Sequence, residues 1–323
     1  MATAPAKLIL CGEHAVVYGR PAIALPLADI RATATVTSNP AVNGPMINAP
    51  DLGGRWSIAE RPDEPLSGLV KTLIERFGIS PQIEITIRSA IPIASGMGSG
   101  AAIATAIVRE LLALRGQTLP PAMIAELVYE SERGYHGTPS GIDNTVVAFE
   151  QPIWFQRRPD LPPLIEPVFI SVPLTLVVGD TGIRSPTRLP VGAVRERWQA
   201  DPARYEALFD QVANLVVAAR AALAQGDVPT LGHLLNTNHE LLREIGVSST
   251  ELDRLTAAAR AAGALGAKLA GGGWGGVMIA LTTPDRAPDI AAALRAAGAT
   301  NALVTTIAAT GFSEVSPARG GEE

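Results

Sequence analysis

Between an alternating apolar run, QIEITIR, and an alanine-rich one, AAIATAIVRELLALRG, the chain inserts three glycines and two serines: IPIASGMGSGAAI, Ile91 to Ile103. Gly96, Gly98 and Gly100 admit backbone dihedrals closed to other residues and let a ligand reach the main chain without a Cβ in the way. The helix that follows opens with unpaired amides and the positive end of its dipole, which suits an anion. Any fold must therefore bring a strand into this turn and a helix out of it. A phosphate cradle and a tight structural turn both meet that demand. The segment has neither the GK[ST] triplet of a P-loop nor a dinucleotide glycine fingerprint. Gly98 directly precedes Ser99, so the serine elbow of α/β-hydrolases is not matched.

The rest of the chain frames this turn. AKLILCG and IRATATVTS read as strands, SGLVKTLIERFG as a helix, and residues 39–65 as a polar hairpin or loop. PPAMIAELVYESERGYHG has prolines at its front and glycine at its exit, as a helix should. GTPSGIDNTVVAFEQPIWF is expected to be a turn and a strand pair, PDLPPLIEP an irregular loop, and LTLVVGDTG a buried strand. Long helical runs follow, and GVMIALT, APDIAAALRAAG and ALVTTIA close the chain as strand, helix, strand. With 323 residues, two domains are expected, at about 1–186 and about 187–317, with 318–323 a disordered tail.

Composition narrows the class. The net charge of −5, without a dense basic block, gives no reason to expect a nucleic-acid partner. No stretch reaches 18 uninterrupted apolar residues, so neither a membrane span nor a secretory signal is indicated. The single cysteine, Cys11, cannot form an intrachain disulfide and fits a reducing, cytoplasmic setting. No HExxH motif or paired cysteines indicate zinc.

Three further constellations carry possible chemistry. In AKLILCGEHAVVYG, Lys7 starts a strand that ends at Glu13 and His14; a lysine there could neutralise a phosphoryl group or be a solvated charge. In ESERGYHGTPSGIDN, Glu130 and Glu132 lie near a helix end and Asp143 follows a Pro-Ser-Gly turn; one acid could hold Mg and another could accept a hydroxyl proton. Ser140 and Asn144 are placed to satisfy the oxygens of Asp143. In GALGAKLAGGGWGGVMIAL, five glycines surround Trp274 before a strand, as a ligand loop or a tight junction.

Taken together and in order, KLILCGEHAVVYG, IPIASGMGSGAAI, ERGYHGTPSGIDN and GAKLAGGGWGG resemble the GHMP kinases, the small-molecule kinases that include galactokinase, homoserine kinase, mevalonate kinase and phosphomevalonate kinase. The resemblance runs from about Lys7 to Thr310. DTGIRSPTRLPVGAV and LLNTNHELLREIGVSSTELDRL are most similar to the members that phosphorylate mevalonate. The resemblance implies an α+β, two-domain fold: an N-terminal domain like ribosomal protein S5 domain 2, and a C-terminal ferredoxin-like α/β plait. It implies ATP as co-substrate, Mg, the acceptor mevalonate and a homodimer. Asp143 matches the acid that takes or orients the alcohol proton, and Lys7 the lysine beside it. Ile93, Ala94, Ser95, Gly96, Met97, Gly98, Ser99, Gly100 and Ala101 match the phosphate loop. Glu132 and Ser99 match the Mg side; Glu13, His14 and Thr187 match the acceptor side. Arg184 and Arg188 fit a carboxylate clamp or a solvated loop.

The chain departs from the family at Gly100, where a second serine hydroxyl is usual, and at Trp274 and Val277, where small residues or cysteine are common.

Overall fold

The computed structural model describes residues 1–92, 95–136 and 140–310, except the side chains of residues 52, 132 and 134–136. Ile93 and Ala94 of the expected phosphate loop, and the expected tail, therefore lie outside the described residues.

The first lobe is built on strand β1 (Ala2–Cys11), paired antiparallel with the long β2 (Ala22–Ser38). A short hairpin, β3 (Met46–Ala49) and β4 (Gly54–Ser57), leads to helix α1 (Pro65–Phe77) and strand β5 (Ile83–Ser89). Pro65 at the start of α1 and Gly78 just past its end are the expected punctuation, and Leu66, Leu69, Val70 and Leu73 bury its apolar stripe. Helices α2 (Ser99–Leu114), α3 (Pro121–His136) and α4 (Ile142–Phe149) follow, then the hairpin of β6 (Ile153–Arg158) and β7 (Leu161–Pro167). The sheet order is β4-β3-β5-β2-β6-β7, with β1 beside β2. Helix α2 lies on β1 and β2, and its buried Ala101, Ala102, Ala104 and Ala106 allow close approach. That packing aims the amino end of α2 at Lys7.

The second lobe has strand β8 (Leu174–Asp180), helices α5 (Arg188–Ala200), α6 (Pro202–Gln225), α7 (Val228–Ile245) and α8 (Thr250–Ala261), strands β9 (Gly266–Ala270) and β10 (Val277–Thr282), helix α9 (Ala287–Ala296) and strand β11 (Asn301–Ile307). The order β11-β8-β10-β9 is antiparallel throughout, the ferredoxin-like plait. Helix α6 is long and apolar enough to cross a membrane by length and composition. Its buried Leu208, Val212, Leu215, Ala219 and Leu223 recur at helical spacing and make it a core-packing helix beside α7.

Three expectations about elements change. GIDNTVVAF is not a turn and strand but the helix α4: Ile142, Thr145 and Val146 are buried among neighbours, and this packing overrides the strand preference of β-branched residues. PDLPPLIEP is not irregular, because β7 is the outermost strand of its sheet, where prolines that cannot donate are tolerated. Strand β8 precedes residue 186 yet pairs with β10 and β11, so the change of sheet falls between β7 and β8.

Candidate active site

Lys7 enters the site through the backbone. Its amide donates to the Met97 carbonyl at 3.0 Å, which ties β1 to the glycine segment. Its side-chain stem then crosses Gly98, where an added Cβ would sit 2.7 Å from Lys7 Cγ; with φ of 72°, this position is closed to other residues on two counts. The Nζ reaches Asp143 Oδ1 at 2.7 Å. Asp143 is in the first turn of α4, where the helix dipole favours a carboxylate. The lysine is 3% exposed and the aspartate 30%, so the pair opens to the cavity through its acid.

Ser140 and Asn144 do not serve Asp143. Ser140 Oγ accepts from the Ile142 amide at 3.3 Å, and Asn144 Nδ2 donates to the Ala125 carbonyl at 2.8 Å. Lys7 is the partner instead.

Glu13 and His14 form a second anchor. His14 sits at a φ of 62°, a strained position for a residue with a Cβ. Its Nε2 donates to the Gly272 carbonyl at 2.9 Å, and burial lowers its pKa to about 4, so the ring is neutral. Glu13 pairs with Lys268 on β9; the two side chains are 1% and 0% exposed. Burial raises the Glu13 pKa and Lys268 opposes the rise. Cys11 is pushed up to about 12, first by burial and then by the Glu13 charge, so it stays a thiol.

The late glycine loop, continuous with β9, meets the phosphate segment backbone to backbone. A Cβ on Gly276 would lie 2.7 Å from the Ser95 carbonyl oxygen. Trp274 turns away: its indole N–H donates to the Gly246 carbonyl at 3.0 Å, at the end of α7, so it packs within its own lobe. No account emerges for Val277, a buried position of β10.

One cavity between the lobes is lined by Lys7, Glu13, His14, Gly96, Asp143, Thr187, Arg188 and Gly272, among others. Of the expected site residues, Ser99, Gly100 and Ala101 open α2 outside this lining, Met97 and Ala101 are buried in the core, and the Ser95 hydroxyl donates to the Pro92 carbonyl at 2.7 Å. Glu132 is on α3, and its side chain lies outside the described residues. Arg184 chelates Asp180 with two bonds of 2.9 Å, while Arg188 faces the cavity. Sequence reasoning passed over Lys268. Its signal was a lysine inside the apolar strand GAKLA, a position that demands a buried partner.

A lysine–aspartate pair beside a glycine segment that opens a helix, between two α/β lobes, is the layout of a small-molecule kinase. A model of the GHMP kinases N terminal domain matches residues 65–151, and one of the GHMP kinases C terminal domain matches residues 219–300. The chain is 35% identical to the mevalonate kinase of Pyrococcus horikoshii, covering 92% of each, and 35% identical to that of Thermococcus sibiricus, covering 97% of each. The solved structure of L. major mevalonate kinase in complex with R-mevalonate superposes with a TM-score of 0.84 at 31% identity, covering 95% of each chain. The chain belongs to the GHMP kinase family, and within it to the mevalonate kinases.

Proposed function

We propose that the chain transfers the γ-phosphoryl group of ATP to the C5 hydroxyl of (R)-mevalonate, giving 5-phosphomevalonate and ADP. The observation that carries this reading is the Lys7–Asp143 pair, open to a cavity that His14, Thr187 and Gly96 of the glycine segment also line. A primary alcohol is a poor nucleophile, so the rate must come from alignment and electrostatic stabilisation. Asp143 orients the hydroxyl and takes its proton while the oxygen–phosphorus bond forms and the bridge to ADP breaks. Lys7, 2.7 Å away, stabilises the developing alkoxide and the negative phosphoryl oxygens. The main-chain amides of the segment 93–101 and the start of α2 receive the ATP phosphates.

Glu13, His14 and Thr187 form the acceptor side. Arg188, exposed at the mouth, suits the acceptor carboxylate. An acceptor that already carries a phosphate would call for more cationic groups, and Asp180 holds Arg184 away from that task.

Mg belongs to the same proposal. No cluster of three histidine, cysteine, aspartate or glutamate groups fit to hold a metal exists among the described residues. Mg keeps several waters and takes phosphate oxygens as ligands, so it needs few protein donors. Ser99 and Glu132 would supply the protein's share, and the ion would neutralise charge on the phosphates. We place the enzyme in the cytoplasm as a homodimer; light scattering of the purified protein tests the assembly.

The test of function is ADP release with ATP and Mg, offering mevalonate, 5-phosphomevalonate, homoserine and galactose separately, with the product identified. Turnover of mevalonate alone is expected. ATP binding without product from any acceptor would mark a silent binder and end the proposal.

A further inference from the structure

A carboxylate has two oxygens, and in Glu13 they have different fates. Oε1 is held by Lys268 Nζ, which also donates to the Leu269 carbonyl at 2.6 Å. Oε2 is buried and has no hydrogen-bond partner among the described residues, and Glu13 is one of the residues lining the inter-lobe cavity. A buried charged acceptor left unpaired is costly, and the group able to pair with it is a donor that arrives in the cavity.

Among the described residues, no neighbour of Glu13 does this. Lys7 is committed to Asp143, His14 donates its Nε2 proton to Gly272, and the Cys11 thiol is sealed in the core. Lys268 is itself fixed from behind. Its neighbour Leu269 donates its amide to His239 Nδ1 at 3.3 Å, and His239 Nε2 donates to Asp253 at 3.1 Å. Helices α7 and α8 thereby hold β9 where Lys268 can reach across the seam.

We propose that Lys268 is a positioning residue for the acceptor: by holding Oε1 of Glu13, it leaves Oε2 as the unpaired oxygen of a cavity-lining carboxylate, to accept a hydrogen bond from the acceptor hydroxyl that is not phosphorylated. This rests on the reading above that the acceptor is a hydroxy acid with a second hydroxyl. Lys268 acts only through Glu13.

The test is steady-state kinetics of Lys268→Met and Lys268→Arg, using whichever acceptor the wild-type enzyme turns over, across the neutral pH range. Lys268→Met is expected to raise the acceptor KM roughly tenfold while the ATP KM stays within about twofold. Its acceptor KM should fall as pH rises, because Glu13 without its cation keeps a proton to higher pH; the wild-type profile should be flatter. Lys268→Arg should restore most of the loss. A folded Lys268→Met enzyme with wild-type acceptor KM and pH profile would overturn the proposal, and so would an equal rise in both KM values. If Lys268→Met does not fold, the neutral pair Glu13→Gln with Lys268→Met decides. A raised acceptor KM with normal ATP KM supports the proposal, and wild-type acceptor KM overturns it. Failure of the mevalonate reading would show separately, as a different product from the wild-type enzyme.

Discussion

Among the described residues, two lysine–carboxylate pairs begin within a few residues of each other, at Lys7 and Glu13, and they are built for opposite purposes. Lys7–Asp143 stays within one lobe and leaves its acid 30% exposed; Glu13–Lys268 crosses between lobes and is sealed at 1% and 0%. An ion pair open to a cavity can exchange its partner for a substrate during turnover. A sealed one cannot, and its removal is felt by the fold, because half a buried pair is worse than none. The first pair should fail in rate, the second in stability as well as in acceptor KM.

Asp143→Asn breaks the comparison most directly. It should lower kcat by roughly 10²–10⁴-fold, the range for a positioned proton acceptor, with ATP affinity little changed. Nearly normal turnover at saturating substrates would remove Asp143 from the chemistry.

At the sealed pair, Glu13→Ala leaves the Lys268 ammonium buried without its carboxylate and should destabilise the protein by about 3–5 kcal/mol in denaturant unfolding. Glu13→Gln combined with Lys268→Met should recover much of that loss, since neither charge remains to be desolvated. Equal losses in the single and double variants would mean that packing, not charge, is what matters there.

The histidines that frame this pair give it a pH signature. His14 and His239 both have pKa values lowered to about 4, chiefly by burial. Between about 4 and 6.5 the unfolded chain binds protons at these rings that the folded chain does not, so stability should fall as pH drops through that window. For fully buried His14 the loss is on the order of 3 kcal/mol; His14→Gln should flatten the dependence, measured as the shift of the urea midpoint with pH.

These differences bear on what could be read in advance. The glycine segment was legible because glycine spacing, a strand before it and a helical run after it are all local features. Lys7 and Asp143 were legible as types but not as a pair: 136 residues separate them, and the fold brings them together only through α4, which its own β-branched residues disguised as a strand. Lys268 is not legible as a site residue because a charge in an apolar run names no partner, and Glu13 lies 255 residues away. Ser140 and Asn144 flank Asp143 closely in sequence, yet the helix turns Asn144 toward the Ala125 carbonyl. The membership of β8 in the second sheet was hidden for the same reason: a wholly buried strand carries no mark of which neighbours it pairs with.

The phosphate side invites the mildest perturbation. Gly100 lies in the first turn of α2 with helical backbone, so a serine there meets no φ penalty and should improve helix propensity slightly. If Mg is held mainly by water and phosphate oxygens, Gly100→Ser adds one ligand to an ion already provided for. The Mg concentration for half-maximal rate should then fall only severalfold, roughly 1 kcal/mol or less, with kcat changed by less than about twofold. A gain of two orders of magnitude would show instead that the wild-type site is starved of a ligand, and that the phosphate side, not the sealed pair, is where this chain is least complete.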